Sequence, residues 1–426
     1  MKTSVLLGLV VVGASVFTTF AQSTQSQPSP TPARVILTNT LPPVQPARTP
    51  TPLPRPVQTP IVVGGSPYVP PAASGNPTVS QASNLTYKGL TFAQIKAKIA
   101  EAKRHLTARP LTIASVEPVV FTSLIRVAYY DQNTRQIDSY VLTKDQFLDP
   151  GVDTVAISAA GKQIISRTIR GNGVNTPVIV TDMNGKQHLP LVVQYPRENR
   201  GTLQEMAYYV STHPGLVTPE VVGVGRFYVH NVIDISRDQL KSKGYFIQPK
   251  VADIAERLAT VEHVDHLRFR TEFQPNIFND IFTLYALNEG QTYRYSVSSA
   301  GAGGMVQMIP PTYRMIRERY PNAGLMPDFV EGMRNHVNAT QAMLLYMQMT
   351  WNDLIANETV YNAVQTGIAT QEQLMAAGYN SNPAKLPGYI NRGGSDWSML
   401  IPRETKIYLQ IYSSLEKSVS MASRKQ

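Results

Sequence analysis

The chain has 426 residues, with 39 Lys and Arg against 29 Asp and Glu, a formal net charge of +10, and no cysteine. That length supports two or three domains with ample core. The lack of cysteine excludes a disulfide framework, a zinc–thiolate site, a Cys nucleophile and a lipidated N-terminal Cys. The basic residues are scattered and not interleaved with aromatics, so the charge suits an anionic matrix or membrane surface, and no nucleic-acid partner is expected.

The N-terminus runs Met1-Lys2, then an apolar stretch from Ser4 to Phe20, then Ala21 before Gln22. One basic residue, a short apolar core and a small residue at the cut predict a secretory signal peptide over residues 1–21. The stretch is short for a membrane span, although an uncleaved anchor is the alternative. Residues 22–85 hold 15 of the 32 prolines, and no acidic residue precedes Glu101. A segment of that composition cannot bury a core and reads as a disordered, extended Pro/Thr/Ser-rich linker.

Residues 86–110 carry Thr91-Phe92-Ala93-Gln94 in capping-box form, with Phe92, Ile95 and Ile99 at helical spacing, which predicts an amphipathic helix. After Pro110 the texture turns β-branched and aromatic. Val119 to Phe121, Leu124 to Tyr130, Ser139 to Leu142, Val178 to Thr181 and Leu189 to Val193 read as strands. Asn184-Gly185 tolerates positive φ and signals a hairpin between the last two. Residues 111–236 are thus read as a mostly antiparallel β domain of unknown role. Gly171-Asn172-Gly173 is a turn and not a phosphate loop, since no Lys-Ser/Thr follows. From about Lys250 to Leu415 helical periodicity takes over, and ten of the 14 methionines lie between Met305 and Met399, as flexible core filling. His263 and His266, three apart, have no evident third ligand, so they read as a solvated face and no metal is expected.

The chemistry concentrates after Pro275. A helix from Pro275 to Glu289 would place Ile277, Ile281, Leu284 and Tyr285 on one apolar stripe with Glu289 on the same face, before Gly290 ends it. A carboxyl on a buried stripe, at the negative end of a helix dipole, favours its neutral form, the state a general acid needs. Ser298-Ser299-Ala300-Gly301-Ala302-Gly303-Gly304 then offers backbone that a ligand could approach closely.

These residues resemble a known family. Glu289, Gly301-Ala302 twelve residues on, Gly304, Met305-Val306-Gln307 and Pro310-Pro311-Thr312 are similar in order and spacing to the lysozyme-like domain of the soluble lytic transglycosylases. Met375-Ala376-Ala377-Gly378 with Tyr379-Asn380-Ser381-Asn382-Pro383 resembles the family's Tyr-Asn-Ala-Gly-Pro block. Pro402-Arg403-Glu404-Thr405, followed by Tyr408, resembles its Pro-x-Glu-Thr block, and Asn338 fits the asparagine ahead of its central helix. The resemblance covers about 150 residues, roughly a third of the chain. The departures are Gly290 where Ser is usual, Val306 for Met, Ser381-Asn382 for Ala-Gly, and an apparent insertion around Glu358 to Glu372.

What the resemblance implies is a multidomain α+β chain whose residues 250–420 form an all-α lysozyme-like domain, in an exported periplasmic or cell-envelope protein. Its substrate would be peptidoglycan glycan strands, cut at the bond between N-acetylmuramic acid and N-acetylglucosamine. Glu289 would be the single acid and base, with no cofactor. Tyr379 would hydrogen-bond Glu289 or the sugar beside it, and Gln307 would contact an acetamido group or peptide stem. Ser298, Gly301, Ala302, Met305 and Asn380 would shape the cleft, while Glu404 and Tyr408 would support it. An envelope protein held by the β domain or the linker is a further expected partner. A glycosidase using water would need a second positioned carboxylate; Asp280, nine residues before Glu289, falls on the opposite side of the helix. A hydrolase of the same fold and a non-catalytic peptidoglycan-binding scaffold are the rival readings.

Overall fold

The computed structural model describes residues 90–108, 122–199, 202–211 and 213–425. The expected signal peptide, the linker and the strand at Val119 to Phe121 lie outside these residues. The chain is α+β: an antiparallel sheet region followed by a helical one.

The first helix, α1 (Phe92–Ala108), opens on the predicted capping box. The Gln94 backbone N–H donates to the Thr91 hydroxyl at 3.3 Å, and Thr91 N–H donates to the Gln94 amide oxygen at 2.9 Å. Its stripe Ile95, Ile99, Ala102 and Leu106 is fully buried. That stripe packs against Leu189, Leu191, Val221, Ala286 and Leu287, so one small core joins α1 to the sheet and to the helical region. Burying side chains of this kind contributes about 1.5–3 kcal/mol each.

The strands are β1 (Leu124–Tyr130), β2 (Ile137–Thr143), β3 (Asp153–Ile157), β4 (Gln163–Thr168), β5 (Val178–Asp182), β6 (Gln187–Asn199) and β7 (Thr202–Val210), with the short helix α2 (Lys144–Leu148) after β2. Their order is β2-β1-β6-β5-β4-β3, every pair antiparallel, with β7 also on β6. A bridge between Tyr140 and Ser158 brings β2 back towards β3, so the sheet nearly closes into a barrel. The register of β1 against β6 slips between Ala128 and Tyr129, where Tyr129 pairs with Pro190, a residue that cannot donate to the ladder. Gly185 takes φ +81° in the predicted turn between β5 and β6.

The β reading to residue 236 runs too far. The strands end at Val210, and residues 219–242 form the 24-residue helix α3 (Pro219–Ser242). Its Val and Ile residues look like strand formers, yet Val221, Gly225, Tyr228, Val229, Val232, Ile233, Ser236 and Leu240 recur at helical spacing and all are buried. Pro219 at the first turn and the Thr218 hydroxyl on Val221 N–H start it.

Helices then follow to the end: α4 (Pro249–Val261), α5 (His266–Thr271), α6 (Gln274–Asn288), α7 (Pro310–Arg319), α8 (Phe329–Arg334), α9 (His336–Ile355), α10 (Glu358–Gln365), α11 (Gln371–Asn380), α12 (Leu386–Gly393) and α13 (Arg403–Ser418). Helix α3 runs against α6 with no space to spare, since a Cβ at Gly225 would stand 1.8 Å from the Phe282 carbonyl oxygen. The main core continues from the sheet residues Val127, Tyr140 and Tyr209 into Tyr228, Phe282, Tyr285, Met343 and Tyr408. The stretch from Glu358 to Glu372 forms α10, the turn after it and the start of α11. Asn338 lies in the first turn of α9, not ahead of it. Its amide bridges Met326 N–H, the Tyr313 hydroxyl and the Gly332 carbonyl at 2.8–2.9 Å, so it ties α7, α8 and α9 together. Among the described residues no helix is long and apolar enough to cross a membrane.

Candidate active site

Helix α6 carries the predicted stripe: Ile277, Ile281, Leu284 and Tyr285 are all buried. Glu289 departs from that stripe. The α-helix ends at Asn288, one residue early, because the Asn288 amide oxygen accepts the Val210 N–H of β7 at 3.0 Å and Glu289 turns to φ +46°, ψ −128°. A left-handed φ is costly for a residue with a Cβ. The Glu289 side chain is therefore not buried but 44% exposed, and its carboxylate is ion-paired with Lys96 of α1. Lys103, one heptad on and on the same helix face, feels both charges. Burial first, then the nearby Lys96, push its ammonium below the usual lysine range, and Glu289 pulls it back.

Behind the turn stands a hydrogen-bonded row. The Tyr228 hydroxyl donates to His336 Nδ1 at 2.9 Å, and His336 Nε2–H donates to the Thr292 carbonyl at 2.7 Å, which fixes the neutral tautomer. Burial holds His336 down at about 4. A Cβ built on Gly290 would lie 3.8 Å from the Tyr228 hydroxyl. The space at Gly290 is thus open, and a phenol from α3 faces it.

The small-residue run folds into a compact loop. Ser298 N–H donates to the Ala302 carbonyl at 2.9 Å, Ala302 N–H to the Ser298 hydroxyl at 3.0 Å, and Gly301, at φ +77°, donates to the Ser298 carbonyl at 2.9 Å. Gly303 bridges both Val297 and Met308. Gly304 has φ +68°, and a Cβ there would stand 2.2 Å from the Met333 carbonyl oxygen, so only glycine fits. Gln307, at φ +46°, turns its amide nitrogen back to the Gly304 carbonyl at 2.8 Å and the Ser296 hydroxyl at 3.2 Å. Met305 is fully buried and Ala302 nearly so. Met305 is therefore a core side chain and not a cleft wall, as expected of an unbranched apolar residue held under a loop.

Two side chains from distant elements grip this loop from below. The Tyr379 hydroxyl donates to the Val306 carbonyl at 2.6 Å, and His263 Nε2–H donates to the Met305 carbonyl at 2.9 Å. Having given its one proton to Val306, the Tyr379 hydroxyl does not donate to Glu289, the first of the two partners expected for it. His263 is not on a solvated face either. Its ring stacks on Tyr293 with centroids 3.3 Å apart, and burial pushes it down to about 3. Asn380 ends α11 beside Tyr379.

Tyr408 donates to Glu262 Oε1 at 2.5 Å. Burial raises that carboxyl to about 8, against the pull of the Tyr408 hydroxyl, and Glu404 adds a smaller upward push. Glu404 itself is exposed in the first turn of α13 and makes no ion pair among the described residues, so it does not fasten the helices; the carboxyl engaged inside the fold is Glu262. Asp280 is held by Arg268 at 2.7 Å and Arg170 at 3.8 Å.

Sequence reasoning thus missed Lys96, Tyr228, Glu262, His263 and His336. The only signal was local: a titratable pair, Glu262-His263, set directly after the apolar end of α4. Among the described residues no group of His, Asp and Glu could hold a metal ion. Compared with known proteins, the chain matches no family model, no curated protein and no solved structure.

Proposed function

We propose that the chain is an exported cell-envelope lytic transglycosylase, with residues 250–420 as its lysozyme-like domain and Glu289 as its single acid and base. The observation that carries the reading is the bond from Tyr379 to the Val306 carbonyl, which joins two sequence blocks 73 residues apart. The other blocks gather around the same loop through His263 and the Tyr408–Glu262 pair.

The chemistry needs one carboxyl. Protonated Glu289 gives its proton to the glycosidic oxygen as the C1–O bond of N-acetylmuramic acid breaks. The resulting carboxylate takes the proton of the carbon-6 hydroxyl of the same sugar, whose oxygen closes onto C1. The product is a 1,6-anhydro ring, and no water is consumed. Attack from within one sugar supplies the advantage that a separate nucleophile would give. Asp280, bound by two arginines, is not free to serve as the second carboxylate a hydrolase requires. The small-residue loop, exposed from Val297 to Ala300, offers backbone to the glycan, and the amide oxygen of Gln307 is the end left to meet an acetamido N–H. The basic surface suits a polymer whose peptide stems carry carboxylates.

The test is mass spectrometry of purified peptidoglycan digested with the mature protein, in parallel with Glu289→Gln. Products one water lighter than hydrolytic muropeptides, absent with the variant, support the proposal. Reducing-end products would make the protein a hydrolase, and sedimentation with the wall without products would make it a binding scaffold.

A further inference from the structure

The candidate acid is held in an ion pair by a lysine of α1. A general acid must carry its proton when it acts, yet Glu289 stands in an ion pair with Lys96. The pair is not an accident of a loose surface. Helix α1 is anchored by its buried stripe on Ala286 and Leu287, in the last turn of α6, and by the Phe92 N–H on the Glu220 carboxylate of α3 at 2.9 Å. Lys96 and Lys103 are seven residues apart, so they share one face of α1.

The charge count on that face does not balance. Lys96 is paired with Glu289, Lys103 feels the charges of both, and among the described residues no other carboxylate is ion-paired with either lysine. Lys98, on another face, has Glu101 at 2.8 Å, and Glu220 is taken by the Phe92 N–H. The Lys103 carbonyl accepts the Thr107 hydroxyl at 3.0 Å, while its ammonium has no hydrogen bond or ion pair among the described residues. When Glu289 takes up a proton, both lysines lose their counter-charge. A half-buried pair of cations without an anion is a site waiting for one.

We infer that Lys96 and Lys103 form an anion subsite for the carboxylates of the substrate's peptide stem. The inference rests on the proposed function and adds to it a substrate class, stem-bearing strands with free carboxylates. A stem carboxylate takes Lys96 from Glu289, which leaves Glu289 free to meet the glycosidic oxygen. Lys96 is a positioning residue: it touches the stem and releases Glu289, and it takes no part in bond making.

The experiment compares kcat/KM on stem-bearing glycan strands with that on the same strands whose carboxylates have been converted to methylamides. The enzymes are wild type, Lys96→Gln, Lys103→Gln and Lys96→Arg, each checked for an unaltered unfolding midpoint. Charge-assisted contacts of this kind predict a wild-type preference of about tenfold or more for the free acid strands. Lys96→Gln and Lys103→Gln each bring the ratio towards one, and Lys96→Arg keeps it. A purely structural lysine would lower both rates together and leave the ratio alone. A wild-type ratio near one, or a ratio that neither glutamine variant moves, overturns the subsite while leaving the transglycosylase standing. Wild type that cleaves neither substrate removes both.

Discussion

The loop from Ser296 to Met308 and the turn that carries Glu289 lie a few residues apart in sequence and are held in opposite ways. The loop is gripped by backbone and side chain on every side: Ser298 and Gln307 close it internally, while His263 and Tyr379 bind two successive carbonyls from beneath. Among the described residues Glu289 has one side-chain partner, a lysine from a helix almost two hundred residues earlier, and its side chain is nearly half exposed. On the proposed function the difference separates two tasks. A surface that must match a polymer is fixed by hydrogen bonds that survive any charge change. A group that must gain and lose a proton is governed by a contact that charge can make or break.

The largest effect should fall on the turn. Glu289→Gln keeps the shape and removes the proton, so turnover on peptidoglycan should drop by about 10²- to 10⁴-fold with the unfolding midpoint unchanged, read by release of soluble fragments. Next comes the loop's tightest point. Gly304→Ala sets a Cβ against the Met333 carbonyl at a positive φ, and should cost about 3 kcal/mol or more in urea unfolding.

The support beneath the loop has a pH signature. The Glu262 carboxyl is raised from an ordinary 4.5 to about 8, so its contribution to stability is complete below the lower value and is lost as pH rises through the higher. His263 and His336 are depressed, to about 3 and about 4, so their contribution is present above about 6.5 and lost as pH falls through those values. Thermal unfolding should therefore be most favourable to the native state between the two limbs. Glu262→Gln should flatten the alkaline limb alone; an unchanged limb would place the proton loss elsewhere. Tyr379→Phe leaves the Val306 carbonyl without its donor and should cost about 1–2 kcal/mol, with loop amides exchanging faster. Smallest of all is Gly290→Ser. The space is open towards the Tyr228 hydroxyl, so the change should stay within about 0.5 kcal/mol, whereas a large loss would show the turn to be as tightly packed as the loop.

Much of this was legible beforehand where the signal is local. The Thr91–Gln94 box, β1 at Leu124–Tyr130, the Asn184-Gly185 turn and the α6 stripe each announce themselves within a dozen residues. Strands β3, β4 and β7 were not announced, because runs such as Gln163–Thr168 mix polar and apolar residues and gain their strand character from neighbours in the sheet. Helix α3 was misread because its β-branched residues argue for strand while their spacing argues for helix. In the site, Glu289 and the glycines were visible by spacing. Lys96, Tyr228 and Glu262 were not, since each acts on a partner more than sixty residues away and no pattern along the chain links them.

The most direct measurement of the single-carboxyl chemistry is digestion of peptidoglycan in water enriched in oxygen-18. Closure by the sugar's own carbon-6 hydroxyl predicts products that carry no heavy oxygen and end in 1,6-anhydro rings. One heavy oxygen at each new end would mean that water attacks, and would contradict a mechanism that runs on Glu289 alone.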